Sequence, residues 1–340
     1  MAQHHFGNED HWTMPPPVDI SEIHTVYHQE ITKYRTCDYI PRLQQEYSQR
    51  QAQQQQLAGN PGIVPQSPAN ATEGAINQQW REKICEWEYQ VVDHFHLKRE
   101  IVSVAMNYLD RCLATSPAVD KSSFQLLAMT CLYVSIKLNH HTHLLIPGSN
   151  STLQSLLELS RGFFSTKDLE KKELELLRRL EWQVHPPTPQ YFLESFHAMF
   201  LEALEQRHLQ ELHHTHDMSM DEDPSDKREV LELAHFLVEL ATMDYFFVLY
   251  LPSQVALASL VTAVRRLNPD PQTDPSVLLP GFEDSQELRA CCNRMARLYD
   301  RILSEDSASS GRRMPGGTTT PNSTSTTPGS DSPVSVRMDT

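Results

Sequence analysis

Positive charge is in short supply in this chain: 29 Lys and Arg stand against 44 Asp and Glu, for a formal net charge of -15. Binding to nucleic acid needs an excess of cations gathered on one face to neutralise phosphates, so that class of partner is not expected. Glycine is also scarce, at 11 residues against 22 prolines, a ratio that suits helices broken by linkers better than a turn-rich β protein. Long apolar runs are missing. The longest, Tyr245 to Leu251, falls far short of the roughly 20 residues that cross a bilayer, so no membrane partner is expected. The opening residues MAQHHFGNED lack the basic and apolar regions of a signal peptide. None of the six cysteines forms a CxxC pair, and most lie among apolar helical positions, which reads as reduced, buried thiols with no disulfide framework. GxGxxG, P-loop, GxSxG and HExxH motifs are all absent, so neither an active site nor a cofactor is expected.

Helical periodicity fills most of the rest. Ile20, Ile23, Tyr27, Ile31 and Tyr34 recur at steps of three and four, one face of a helix. Residues 44–79 are rich in Gln, Pro, Asn and Gly and read as a flexible insert with too little apolar surface to fold. From Trp80 the helical signal strengthens: Trp80, Ile84, Trp87, Val91 and Phe95 mark one helix, and Ile101, Val104, Ala105, Tyr108, Leu109, Cys112 and Leu113 a second. Between Phe124 and Leu138 no continuous polar face remains, the mark of a helix at the centre of a bundle. Shorter segments follow around Leu156 and from Ser165, whose hydroxyl can cap a helix with Asp168 three residues on, and Pro186-Pro187 ends the set. A second helical set starts at Pro189, with an acidic, His-rich loop expected at 208–226 and further helices at 230–240, 252–267 and 283–303. The fold expected is all-α, two tandem helical bundles at 19–187 and 188–303, with disordered tails at 1–18 and 304–340.

Two classes of residue invite a functional reading. The tetrapeptide His-His-Thr-His occurs at His140 to His143 and again at His213 to His216, and imidazole suits zinc or nickel. Both copies fall in expected loops with no further ligands at fixed spacing, so they read as solvated loops and no metal site is assigned. Lys137 ends the most apolar helix and Glu173 lies in the helix that starts at Ser165. Either both are solvent-facing, or they pair at one edge of the bundle and offer polar groups to a partner backbone. Arg81 and Asp110 present the same choice.

At these residues the chain resembles the cyclin family. Ala105-Met106-Asn107-Tyr108-Leu109-Asp110-Arg111 resembles the motif ending the second helix of a cyclin box; Phe124-Gln125-Leu126-Leu127 through Ser135-Ile136-Lys137 resembles its central helix. Leu180-Glu181-Trp182 with Pro187-Thr188 resembles the exit to the second box, and Asp244 with Tyr250-Leu251-Pro252-Ser253 and Ala256 that second box itself. The family's five signature positions fall on Arg81, Asp110, Leu126, Lys137 and Glu173. The first box is most similar to D-type, G1 cyclins and the second to A and B types.

The resemblance implies a non-catalytic subunit that binds and activates a cyclin-dependent serine/threonine kinase as a heterodimer in cell-cycle control. Arg81 and Asp110 would then pair internally with Leu126 beside them, while Lys137, Glu173, Leu138 and Leu177 would face the kinase. It also implies a substrate-docking patch at Trp80, Lys83, Ile84, Trp87, Gln90 and Gln125, in which Lys83 replaces an apolar residue and Gln90 an acid. Docking of a basic-x-leucine peptide is expected to be weak or altered, since an apolar contact and a charge-assisted hydrogen bond are both lost. Ser67, Thr320, Thr327 and Ser332 precede proline in segments of expected disorder and are phosphorylation candidates; Thr327-Pro328-Gly329-Ser330-Asp331 would serve as a phosphodegron for a ubiquitin ligase. Residence in nucleus and cytoplasm is implied by the family alone. Two alternatives stay open: a cyclin-fold scaffold that activates no kinase, and a transcription-factor-like protein, against which the acidic balance argues.

Overall fold

A computed structural model describes residues 20–57, 74–139, 152–212, 224–279 and 285–310, and among these residues every regular element is helical. The helices are α1 (Ile20–Thr32), α2 (Ile40–Leu57), α3 (Gln78–His94), α4 (Glu100–Thr115), α5 (Lys121–Asn139), α6 (Thr152–Leu159) and α7 (Thr166–Arg179). They are followed by α8 (Pro189–Leu212), α9 (Pro224–Met243), α10 (Pro252–Leu267), α11 (Pro275–Leu278) and α12 (Gln286–Ser310). Two buried clusters organise them. The first is built from α2 to α7, and the second from α8 to α10 with α12.

Each cluster has one helix at its centre, and both are the segments with the least polar periphery. In α5, Phe124, Leu127, Ala128, Cys131, Leu132, Val134 and Ile136 are all buried, against α4 on one side and α7 on the other. In α10 every residue from Val255 to Val264 is buried, among α8, α9 and α12. Local chemistry sets the ends. Asn77 accepts from the Trp80 amide to cap α3, and Ser165 and Asp168 form a reciprocal capping box at the start of α7. Thr188 accepts from the Tyr191 amide to open α8.

Two expectations need correction. The insert expected over 44–79 is helical as far as Leu57. Its sequence buries little, but α2 satisfies polar groups instead. Arg42 donates to the carbonyls of Leu113 (2.8 Å), Ala114 (3.1 Å) and Ser116 (2.9 Å) at the open end of α4. Arg50 donates to the Ala118 carbonyl, and Glu46 accepts from the Ala118 amide at 2.8 Å. Where the chain re-enters, Gly74 has φ +92° and lies so close to Tyr47 that a Cβ would meet its hydroxyl at 2.7 Å, so glycine is required there. Helix α8 extends past 208 to Leu212, and α12 runs past Ser304 to Ser310. The remaining expected loops and tails lie outside the described residues.

Helix α1 opens the first domain in sequence but docks elsewhere. Its place in sequence suggests the first bundle, yet Ile23 and Val26 pack against the second core. Glu30 explains the choice. It is buried, and its carboxyl accepts from the Ser253 amide (3.0 Å) and hydroxyl (2.5 Å) in the first turn of α10, where N-terminal amides lack helical partners. Burial raises its pKa from 4.5 to about 7, against the pull of the two Ser253 hydrogen bonds. The folded state therefore holds a proton that the unfolded chain releases near pH 4.5. The Glu30 contribution to stability is complete below that pH and is lost as pH rises through about 7. Urea denaturation of wild type beside Glu30→Gln should show the wild type losing stability relative to the variant between pH 4.5 and 7. A constant difference across that window would contradict the assignment.

Candidate functional site

Arg81 on α3 and Asp110 on α4 form a buried bidentate pair. Arg81 Nε donates to Asp110 Oδ1 and Nη2 to Oδ2, both at 2.8 Å. The remaining donors reach across the molecule: Nη1 donates to the carbonyls of Thr242 (2.9 Å) and Met243 (3.0 Å) at the end of α9. Tyr39, just ahead of α2, donates its hydroxyl to Asp110 Oδ1 at 2.7 Å. Burial works against the Arg81 charge, and Asp110 more than offsets it, so the guanidinium is held above the ordinary arginine value. One ion pair thus joins two helices of the first bundle to the last turn of a helix in the second. Arg99 makes a companion clamp, donating to both carboxylate oxygens of Glu239 on α9 at 2.6 and 2.8 Å, and to Asp93. Leu126 is half-buried against the first core.

At the other end of the first bundle, Lys137 Nζ donates to Glu173 Oε1 at 2.8 Å, joining the last turn of α5 to the middle of α7. The lysine also lies 5.6 Å from the Tyr133 ring. Its hydrogen bond to Glu173 raises its pKa above the ordinary lysine value, while Glu173 is the more covered partner. Beside the pair, Leu138 is 41% exposed, whereas Leu177, one turn on from Glu173, is half-buried on the core. So this face carries a polar pair with remaining hydrogen-bonding capacity next to an uncovered aliphatic side chain.

Trp182, part of the segment that resembles the exit to the second box, is 64% exposed in the turn after α7. Glu181 and Trp182 both adopt left-handed backbone, with φ of 52° and 60°, a conformation that costs non-glycine residues energy. Helix α4 holds the turn in place: Arg111 donates to the carbonyls of Gln183 (2.8 Å) and Leu180 (3.3 Å), and Tyr108 donates to Val184.

The residues expected to form a docking patch divide. Ile84 and Trp87 are buried within the core, so they offer no open apolar surface. Trp80 is half-buried, 5.9 Å from the Phe124 ring and covered by Lys121 at 5.9 Å. Lys83 and Gln90 are exposed and Gln125 is half-buried, which leaves the accessible part of α3 mainly polar. Ser67, Thr320, Thr327, Ser332 and both His-His-Thr-His segments lie outside the described residues. Among the described residues no group of three His, Cys, Asp or Glu could hold a metal, and no helix is long and apolar enough to cross a membrane. Five of the cysteines are buried and Cys37 is exposed.

Comparison with known proteins agrees with this geometry. Residues 21–185 match the cyclin N-terminal domain, and residues 187–312 match the cyclin C-terminal domain. The chain is 30% identical to human G1/S-specific cyclin-D1 over 188 residues, covering 55% of this chain and 54% of that protein. It is 26% identical to cyclin-A1-2 of Arabidopsis thaliana over 237 residues, covering 69% of this chain and 47% of that one. The chain thus spans about half the length of these curated relatives. Among solved structures, a chain of the CAK complex of Chaetomium thermophilum bound to ATP-γ-S superposes with a TM-score of 0.55 at 12% identity, covering 87% of this chain and 85% of that one. With both domain types matched in order over most of its length, the chain belongs to the cyclin family.

Proposed function

We propose that this cyclin is the non-catalytic regulatory subunit of a serine/threonine kinase and that it acts in cell-cycle control. The observation that carries the reading is the Lys137–Glu173 pair at the edge of the first bundle, flanked by the uncovered Leu138. A kinase transfers phosphoryl groups only once the Lys–Glu ion pair between its β3 strand and αC helix is assembled. A partner that binds the helix-in state more tightly than the helix-out state shifts the population toward the active form without taking part in the chemistry. Lys137 and Glu173 each keep unused donors or acceptors, and these would meet backbone groups of the kinase helix. Leu138 and Leu177 would supply the apolar contact beside them.

Charge reversal tests this directly. Lys137→Glu is expected to weaken kinase capture roughly thirtyfold or more, because it leaves a desolvated interface charge unpaired. The melting temperature should hardly change, since an exposed pair contributes little to stability. A folded Lys137→Glu protein that captures kinase as well as wild type would refute the assignment.

The same reading carries weaker recruitment of basic-x-leucine substrates, given that Ile84 and Trp87 are buried and Lys83 and Gln90 are polar. It also carries control of abundance by a ubiquitin ligase through phosphorylation around Thr327, and residence in nucleus and cytoplasm.

A further inference from the structure

Helix α7 has a second face unrelated to Lys137. Lys167, Lys171, Leu174 and Arg178 recur at helical spacing, and all four are exposed. They lie opposite Leu169 and Leu176, which the helix buries. The stripe runs about 16 Å along the helix. Such a row in an acidic chain is ordinarily balanced by acids of its own helix at neighbouring turns. Here the acids are committed elsewhere. Asp168 turns back to accept from Ser165 in the capping box. Glu173 is held by Lys137. Glu175 accepts from Lys172 at 2.8 Å and Arg179 at 3.2 Å, which removes it from Lys171. Glu170 remains at the margin of the stripe, and Asp168 keeps a lesser Coulombic interaction with Lys171 beside its cap bonds. In the middle sits Leu174, 44% exposed.

We propose that this face docks an acidic peptide segment of a partner protein, whose carboxylates meet Lys167, Lys171 and Arg178 while an aliphatic side chain covers Leu174. Charge complementarity points to that occupant. The chain carries a net charge of -15, so an acidic segment is repelled over most of the surface and favoured on this stripe, which fixes where and in which register it binds. A nucleic acid is the poorer fit, because a long polyanion would extend beyond the stripe into that repulsive field and would leave Leu174 uncovered.

The test is fluorescence anisotropy on the full chain with a short fluorescein-labelled peptide that alternates Glu with Leu. A matched peptide with Ser for Glu and a single-stranded oligonucleotide of similar length serve as comparison probes. Wild type should bind the Glu/Leu peptide with an affinity that falls as salt rises. The triple variant Lys167→Ser/Lys171→Ser/Arg178→Ser should lose about tenfold in affinity along with most of that salt dependence. Leu174→Ser should weaken binding while keeping the salt dependence. These positions are on the solvent face, and unchanged circular dichroism melts would confirm that each variant is folded. Equal affinity of wild type and triple variant for the Glu/Leu peptide would overturn the proposal. So would binding of the Ser peptide as tightly as the Glu peptide, or tighter binding of the oligonucleotide than of either.

Discussion

Asp110→Ala is expected to lose about 3–5 kcal/mol of folding stability, because it strands a buried guanidinium without its carboxylate. Arg81 is almost wholly inside the protein, and two of its five N–H groups point at Asp110. Removing the carboxylate also leaves the Tyr39 hydroxyl without its acceptor. A third effect reaches beyond the first bundle. The same guanidinium donates to the Thr242 and Met243 carbonyls, so freeing it loosens the seam between the two bundles. Chemical denaturation should show the loss, and proteolysis near the end of α9 should accelerate. Replacing both partners with apolar residues, Arg81→Met with Asp110→Leu, is expected to cost less than Asp110→Ala alone, since no buried charge is then left unpaired. A change below 1 kcal/mol for Asp110→Ala would mean that the pair contributes nothing the core does not already supply.

Glu88→Leu should act in the opposite direction, stabilising the fold by about 1–3 kcal/mol. Glu88 lies on the buried side of α3, is 0% exposed, and neither carboxyl oxygen has a hydrogen-bond partner. Burial pushes its pKa well above the usual carboxylate range; nearby Arg81 pulls it down and Asp110 pushes it up. The folded protein therefore keeps Glu88 protonated where the unfolded chain would ionise it. To the cost of the unpartnered carboxyl this adds a protonation cost that is absent below the ordinary carboxylate pKa and grows as pH rises above it. The gain from Glu88→Leu should accordingly be larger at pH 8 than at pH 5, as read from thermal melts at both. A smaller gain at the higher pH would contradict the placement of this carboxyl.

What could be read from residues alone followed the physics of each region. Helices that bury a stripe or a whole circumference, α4, α5 and α10, declare themselves by periodicity, because water exclusion acts on side chains in sequence order. Helix α2 does not. Its Gln-rich sequence resembles a linker; beyond Ile40 and Leu43 in the core, it is held by Arg42, Glu46 and Arg50 bonding groups some seventy residues away. Long-range polar contacts leave no local period. The docking of α1 on the second bundle was hidden for the same reason, since one buried carboxyl bonded to Ser253 decides it. In the candidate site, family resemblance marked Lys137 and Glu173, but spacing could not say whether they touch. Nor could it show Ile84 and Trp87 turned into the core, because an amphipathic pattern gives a face and not its depth.

The central claim is that the face around Lys137 and Glu173 recruits and activates a kinase. The most direct measurement is affinity capture from dividing cells with wild type beside a Lys137→Ala/Glu173→Ala double variant, followed by identification of the bound kinases and a histone-peptide phosphorylation assay. The account predicts a serine/threonine kinase recovered and active with wild type and lost, in amount and activity together, with the variant. Equal recovery with both proteins, or a kinase bound to wild type that gains no activity from it, would contradict the account.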